Sequence, residues 1–380
     1  MLDNNMTTLG IVFPNTYDKT MSDLTSNRAI AALPFASRYR LIDFTLSNMV
    51  NAGISNISIV VKKNYRSLLD HLGNGREWDL ARKNGGLNIV PPFSREYIQP
   101  YTGRIQGLTS ILGFLRSQKE EYVIMSDAFY ATTIDLEKIV EAHVKSGAYA
   151  TCVYKKTKIS EHALTIPQEE GDPYYGYKLD GNRIVDMMIS PKTSDNLNLA
   201  MNTIVMKRTD LIEAVSQGHL EGKIHFGRDI MLPACKEKFV MGYEIDDYVA
   251  VIDGIKEYFD ESMKLLDESN ADALFGKNSV HTKIRDDNPT VYTDTAFVKN
   301  VMVADGCVIE GKVENSILFR GVKVKKGAVV KNCILMQDTV VGAGATLEYT
   351  ITDKNVVVSD NQDLSGTNRF PALIPKGRTV

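Results

Sequence analysis

The sequence predicts two domains, an α/β domain on a mixed but mostly parallel sheet and, behind it, a left-handed parallel β-helix. Three observations carry this reading. β-branched runs alternate with helix-period segments over the first 150 residues, and a glycine-containing cassette recurs after residue 290. The length of 380 residues also exceeds what one hydrophobic core usually serves.

In chain order, Thr8–Phe13 (TLGIVF) is an apolar run of strand length. Residues 39–52 (YRLIDFTLSNMVNA) have helical spacing, closed by Gly53. Residues 57–61 form a second β-branched run. Residues 107–118 (GLTSILGFLRSQ) repeat Leu108, Ile111, Leu112 and Leu115 at helical intervals. A third strand over residues 122–125 ends at Ser126-Asp127, and residues 137–146 are helical. This alternation implies βαβ units, and ligands in such sheets lie beyond the carboxyl ends of the strands. Residues 14–18 and 127–130 therefore sit at the functional rim. A helix over residues 256–268 leads into the polar run Arg285-Asp286-Asp287-Asn288-Pro289. The expected division is a first domain of residues 1–268, a linker of 269–290, and a β-helix with its tail over 291–380.

The cassette reads VADGCVI at residues 303–309, VKKGAVV at 324–330 and VGAGATL at 341–347. Each opens on an aliphatic residue, with glycine three places later and another aliphatic six places later. Asn315-Ser316-Ile317, Asn332-Cys333-Ile334 and Tyr349-Thr350-Ile351 follow at 17-residue intervals. Hexapeptide repeats in coils of about 18 residues mark a parallel β-helix, in which each coil buries its neighbour's aliphatic edge. The tail at residues 368–380 (NRFPALIPKGRTV) is either a contact with the first domain or a partner, or a frayed basic end.

Bulk properties exclude several classes. A formal charge of −3 gives no electrostatic case for nucleic acid or a membrane surface. Cys152, Cys235, Cys307 and Cys333 form no CxxC pair, which favours reduced, buried thiols over zinc or disulfides. The six histidines are scattered, with none beside a Ser or Cys motif. No signal peptide opens the chain and no run approaches the ~18 apolar residues of a membrane span, so the expected compartment is the cytoplasm.

Residues 33–48 (LPFASRYRLIDFTLSN) resemble the PFGG-x-YRIIDFxLSN block of bacterial glucose-1-phosphate adenylyltransferases, the ADP-glucose pyrophosphorylases. Residues 78–82 (WDLAR), with Asn84-Gly85-Gly86, are similar to that family's WDLDR-x-NGG, and residues 226–230 (FGRDI) to its FG-K-DI-P segment. With the β-helix, the resemblance spans essentially the whole chain. It implies a nucleotidyltransferase-like, Rossmann-type first domain. Such enzymes join ATP and glucose 1-phosphate into ADP-glucose and pyrophosphate for glycogen or starch synthesis.

The chemistry that the resemblance implies needs backbone donors around a triphosphate, cations for the leaving pyrophosphate, and carboxylates on Mg²⁺. Each part is altered here. The family's glycine-rich loop resembles residues 13–20, where Pro14, Asn15, Thr16 and Asp18 stand and glycine is absent. Proline removes a donor and Asp18 adds negative charge where phosphates would lie. The family's phosphate-facing lysine resembles Ile30. One metal carboxylate is kept as Asp127, while the other position is Val251, with Asp253 two residues on. The sugar-phosphate clamp E-E-K-P resembles residues 188–191 (MISP), which puts Ser190 at the lysine. Gly176 is kept, and a glycine of the S-M-G-I-Y strand becomes Asn202.

A preserved scaffold around degraded chemistry is similar to the non-catalytic second subunit of bacterial ADP-glucose pyrophosphorylases. That resemblance implies a regulatory role toward a catalytic paralogue, no cofactor of its own, and homo-oligomers when alone. Arg28, Arg38, Arg40 and Gly176 are the candidates for residual ligand contacts or for a small phosphorylated effector. Two other readings stay open: a weakly active adenylyltransferase with Mg²⁺ on Asp127 and Asp253, and a free-standing sensor of sugar phosphate or nucleotide.

Overall fold

The protein is described here from a computed structural model, which covers residues 7–91, 101–165, 174–193 and 195–380. The first domain is built on a nine-stranded sheet of β1 (Thr8–Phe13), β2 (Asn56–Val60), β3 (Gly86–Val90), β4 (Tyr122–Asp127), β5 (Ala150–Thr157), β6 (Tyr175–Asp180), β7 (Arg183–Ile189), β8 (Leu197–Lys207) and β9 (Val240–Glu244). Their spatial order is β3-β2-β1-β4-β8-β5-β9-β7-β6. The strands from β3 to β4 are parallel, as the βαβ alternation predicts. Beyond β4 the pairing is mainly antiparallel, because β8 runs against both β4 and β5. All six residues of β1 are buried.

The helix expected over residues 39–52 is Leu41–Asn51, after a short hairpin of Pro34–Phe35 with Tyr39–Arg40. Asp43 caps its start by accepting from the Arg40 backbone N–H at 2.9 Å. The segment 107–118 is not one helix but two, Arg104–Thr109 and Leu112–Ser117, broken at Ile111. The linker expected from residue 269 starts later. Glu268–Phe275 is a helix packed on the first domain, with Leu274 fully buried and Phe275 stacked on Tyr39. The chain then lies along helix Leu41–Asn51. Asp43 accepts from Thr282 Oγ1 at 2.5 Å, Ser47 Oγ accepts from His281 N at 2.8 Å, and Asn51 donates to Ser279 O at 2.9 Å. These three residues fall four apart on one helical face, so a single helix fixes the course of the connection.

The repeats form a parallel β-helix. Val313, Val330 and Leu347 stack in one buried row, and Ile317, Ile334 and Ile351 in another. Asn315, Asn332 and Tyr349 each occupy the left-handed backbone region, at φ 44°, 52° and 45°. Their 17-residue recurrence is thus the recurrence of one corner of the coil. The tail does not fray: Ala372–Ile374 pairs with Thr350–Thr352, which adds a last rung. The two domains share a core, since Ile317, Phe319, Ile334 and Ile351 belong to the apolar cluster of helix Leu41–Asn51. All four cysteines are buried free thiols. Among the described residues, no helix is long and apolar enough to cross a membrane.

Candidate functional site

The loop after β1 closes on itself. Asp18 is buried and turned inward, where Oδ1 accepts from Ile30 N at 2.7 Å and Oδ2 from Asn15 Nδ2 at 2.7 Å. Pro14 O accepts from Ala31 N at 3.2 Å. Ile30 itself is fully buried and is a core residue. Tyr17, in the left-handed region at φ 65°, stacks on Tyr174 with ring centroids 4.7 Å apart and meets Phe129 edge-on at 4.8 Å. Aromatic packing fills the ground beside a loop that would otherwise present backbone donors.

Asp127 ends β4 and is fully buried. Its Oδ1 accepts from Arg104 Nη2 at 2.6 Å and its Oδ2 from Asn202 Nδ2 at 2.8 Å. Burial raises its carboxyl above the ordinary range, while Arg104, Asn202 and Thr16 pull it back. Arg104 and Asn202 line a cleft with Phe13, Asn15, Thr16 and Tyr175. Asp253 lies elsewhere: it lines a second cleft with Thr157, Ser160, Tyr174 and Val251. Its Oδ2 accepts from Ser160 at 2.8 Å and Tyr174 at 2.9 Å, and its buried Oδ1 has no hydrogen-bond partner. Burial first, and the charge of Glu257 second, push the Asp253 carboxyl up to about 7. Val251 pairs with Tyr130 across a two-residue ladder. The structure therefore does not bring Asp127 and Asp253 to one cleft.

The remaining candidates separate. Gly176 is a strand residue whose absent Cβ admits the Met188 side chain, since a Cβ there would meet Met188 Cε at 2.9 Å. Ser190 adopts φ 44° and donates its backbone N–H to Tyr174 O at 2.7 Å. Arg28 faces neither the β1 cleft nor solvent. It is buried against Asp353 of the β-helix, with Nη2 at 2.7 and 2.8 Å from the two carboxylate oxygens.

Arg38 and Arg40 do share a site, a cleft between the domains that Lys283, Arg285 and Arg320 also line, with Asp70 and His71. Arg38 is exposed. Arg40 donates to Ser67 O at 2.6 Å, and burial lowers its guanidinium to about 10. His71 Nε2 and Asp43 Oδ1 are 2.5 Å apart. Lys354, facing Arg40 and Arg28, is lowered to about 6, by burial first and then by those two cations. Sequence reasoning missed Arg104, Asp353, Lys283, Arg285 and Arg320. Lys283 and Arg285 lie in the linker, where a polar run reads as a boundary and not as a wall of a site, and Arg320 lies between two cassettes of the β-helix.

Comparison with known proteins agrees with this geometry. Residues 18–162 match the nucleotidyl transferase family, and residues 288–369 match the GlmU-like, C-terminal hexapeptide family. The glycogen biosynthesis protein GlgD of Bacillus subtilis (strain 168) is 33% identical over 378 residues, covering 99% of this chain and 97% of that protein. GlgD of Geobacillus stearothermophilus is 34% identical over 334 residues, 87% of this chain and 84% of the relative. Glucose-1-phosphate adenylyltransferase of Bacillus mycoides (strain KBAB4) is 27% identical over 346 residues, 90% of each chain. A left-handed β-helix behind a nucleotidyltransferase domain, matched almost end to end by these relatives, places the chain in the glucose-1-phosphate adenylyltransferase family together with the glycogen biosynthesis protein GlgD.

Proposed function

We propose that this chain is a regulatory subunit, without appreciable turnover of its own, of an ADP-glucose pyrophosphorylase complex in cytoplasmic glycogen biosynthesis. The observation that carries the reading is the inward-turned Asp18, which occupies the loop after β1 where a triphosphate would need backbone donors. Val251 and Ser190 in place of an acid and a lysine point the same way. Losing several such electrostatic contacts costs roughly 10²–10³ in rate for each.

Its partner in this reading is the catalytic paralogue, and its means of action is a shift of that subunit toward an active conformation. Two surfaces support it. The cationic cleft between the domains suits a small phosphorylated effector. The first coil of the β-helix and the segment before it expose Ile284, Val291, Tyr292, Phe297 and Val298, an apolar surface suited to another subunit.

The test is pyrophosphate release from ATP, glucose 1-phosphate and Mg²⁺, by the chain alone, by the catalytic paralogue alone, and by their mixture. The expected result is no release by the chain alone and altered kinetics in the mixture. Release by the chain alone near the ~10 s⁻¹ typical of enzymes would make it a working adenylyltransferase. A mixture with the unchanged kinetics and size of the paralogue would remove the partner role.

A further inference from the structure

The family resemblance implies Mg²⁺ at Asp127, and a hard divalent cation needs several oxygen donors with lone pairs to give. The donors here are committed. Both oxygens of the fully buried Asp127 carboxylate accept hydrogen bonds within the chain, one from Arg104 at 2.6 Å and one from Asn202 at 2.8 Å. Val251 contributes no side-chain oxygen, and Asp253 lines the other cleft. Among the described residues, no three His, Cys, Asp or Glu side chains gather where they could hold a metal. The residues present do not fit Mg²⁺.

What does fit the carboxylate is Arg104. It starts helix Arg104–Thr109, its guanidinium lies 4.5 Å from the centre of the Phe13 ring, and the same guanidinium meets Asp127. One side chain thus touches the end of β1 and the end of β4, while Asn202 of β8 holds the opposite carboxylate oxygen. A planar, permanently charged guanidinium suits such a site, because it neutralises a carboxylate with directed hydrogen bonds and little loss of hydration.

We infer that Arg104 is a resident counter-ion that excludes divalent cations from this cleft. A metal could reach Asp127 only by displacing a buried ion pair, and it would then stand beside the displaced positive charge. Arg104 is in this sense a specificity-determining residue: it settles which cation the surviving acid keeps. The inference goes beyond the regulatory reading and does not depend on it.

The experiment follows Mn²⁺ by electron paramagnetic resonance, together with thermal melts, on the full chain. The proteins are wild type, Arg104→Ala, Asp127→Asn and the double variant. Wild type is expected to leave as much Mn²⁺ free as Asp127→Asn does. Each single variant is expected to lower Tm by several degrees. The double variant is expected to regain at least half of the loss seen in Arg104→Ala, because an amide needs no counter-ion. Mn²⁺ bound by wild type and released in Asp127→Asn would overturn the inference, as would Tm losses that simply add in the double variant. If Arg104→Ala does not fold, Arg104→Gln takes its place in both measurements, and Mn²⁺ bound by wild type but released in Asp127→Asn still overturns the inference. The mixed-subunit assay judges the regulatory role separately.

Discussion

The cleft beyond β1 and the cleft between the domains are both rich in charge, but they balance it in opposite ways. In the first, each acid is answered within the chain: Asp127 by Arg104 and Asn202, and Asp18 by the Ile30 N–H and Asn15. In the second, Arg38, Arg40, Lys283, Arg285 and Arg320 line one cleft with Asp70 and His71, and Asp287, which pairs with Arg285, offsets only part of that charge; nearby, Lys354 is held down to about 6 by burial and by Arg40 and Arg28. Matched charge holds elements together. Surplus charge of one sign raises the local potential and draws a counter-ion from solution. The comparison teaches that a cleft which resembles an enzyme's catalytic site can have its charges answered from within the chain, while a cleft elsewhere in the same molecule gathers cations.

The largest effect is expected where the interface does have a matched pair. Arg28→Ala leaves Asp353 buried without its partner, which costs roughly 3–5 kcal/mol. Urea melts of Arg28→Ala should show that loss, and a variant as stable as wild type would mean that the pair holds nothing.

A middle effect is expected at Lys354. Its folded pKa lies below its unfolded one, so the unfolded chain holds the extra proton between about pH 6 and pH 10, and stability rises with pH across that window. Lys354→Met should therefore stabilise the protein at pH 7 by roughly 1–2 kcal/mol after allowance for screening. The gain should shrink toward pH 10, and melts at both pH values check this.

The smallest stability effect belongs to the rim. Arg285 is partly exposed and pairs with Asp287 at 3.0 Å. Arg285→Ala should change stability by no more than ~0.5 kcal/mol. The same variant should clearly weaken any rise in Tm that inorganic phosphate gives wild type. An unchanged phosphate response would show that the rim takes no part in holding anions.

The β-helix was legible residue by residue, because each coil specifies itself locally. An aliphatic residue fills the row, a left-handed corner follows, and the next coil repeats the pattern 17 residues later. The strands of the α/β domain were equally legible from their β-branched runs. The reading was weakest where a residue's partner lies far along the chain. Arg28 appeared as a candidate ligand or effector contact, yet it pairs with Asp353, 325 residues away. The tail appeared able to fray, yet it found an open strand edge.

Sequence alone thus determined the α/β domain, the β-helix behind it and the coil repeat, since propensity and patterning act over a few neighbouring residues. Only the tertiary structure decided which charges meet. Asn202 reaches Asp127 because β4 and β8 lie side by side in the sheet, and Arg104 donates to the other carboxylate oxygen. The cationic cleft exists because two domains fold against one shared core. Electrostatic pairing depends on distances of a few ångströms and on burial, and neither is written in any local stretch of the chain.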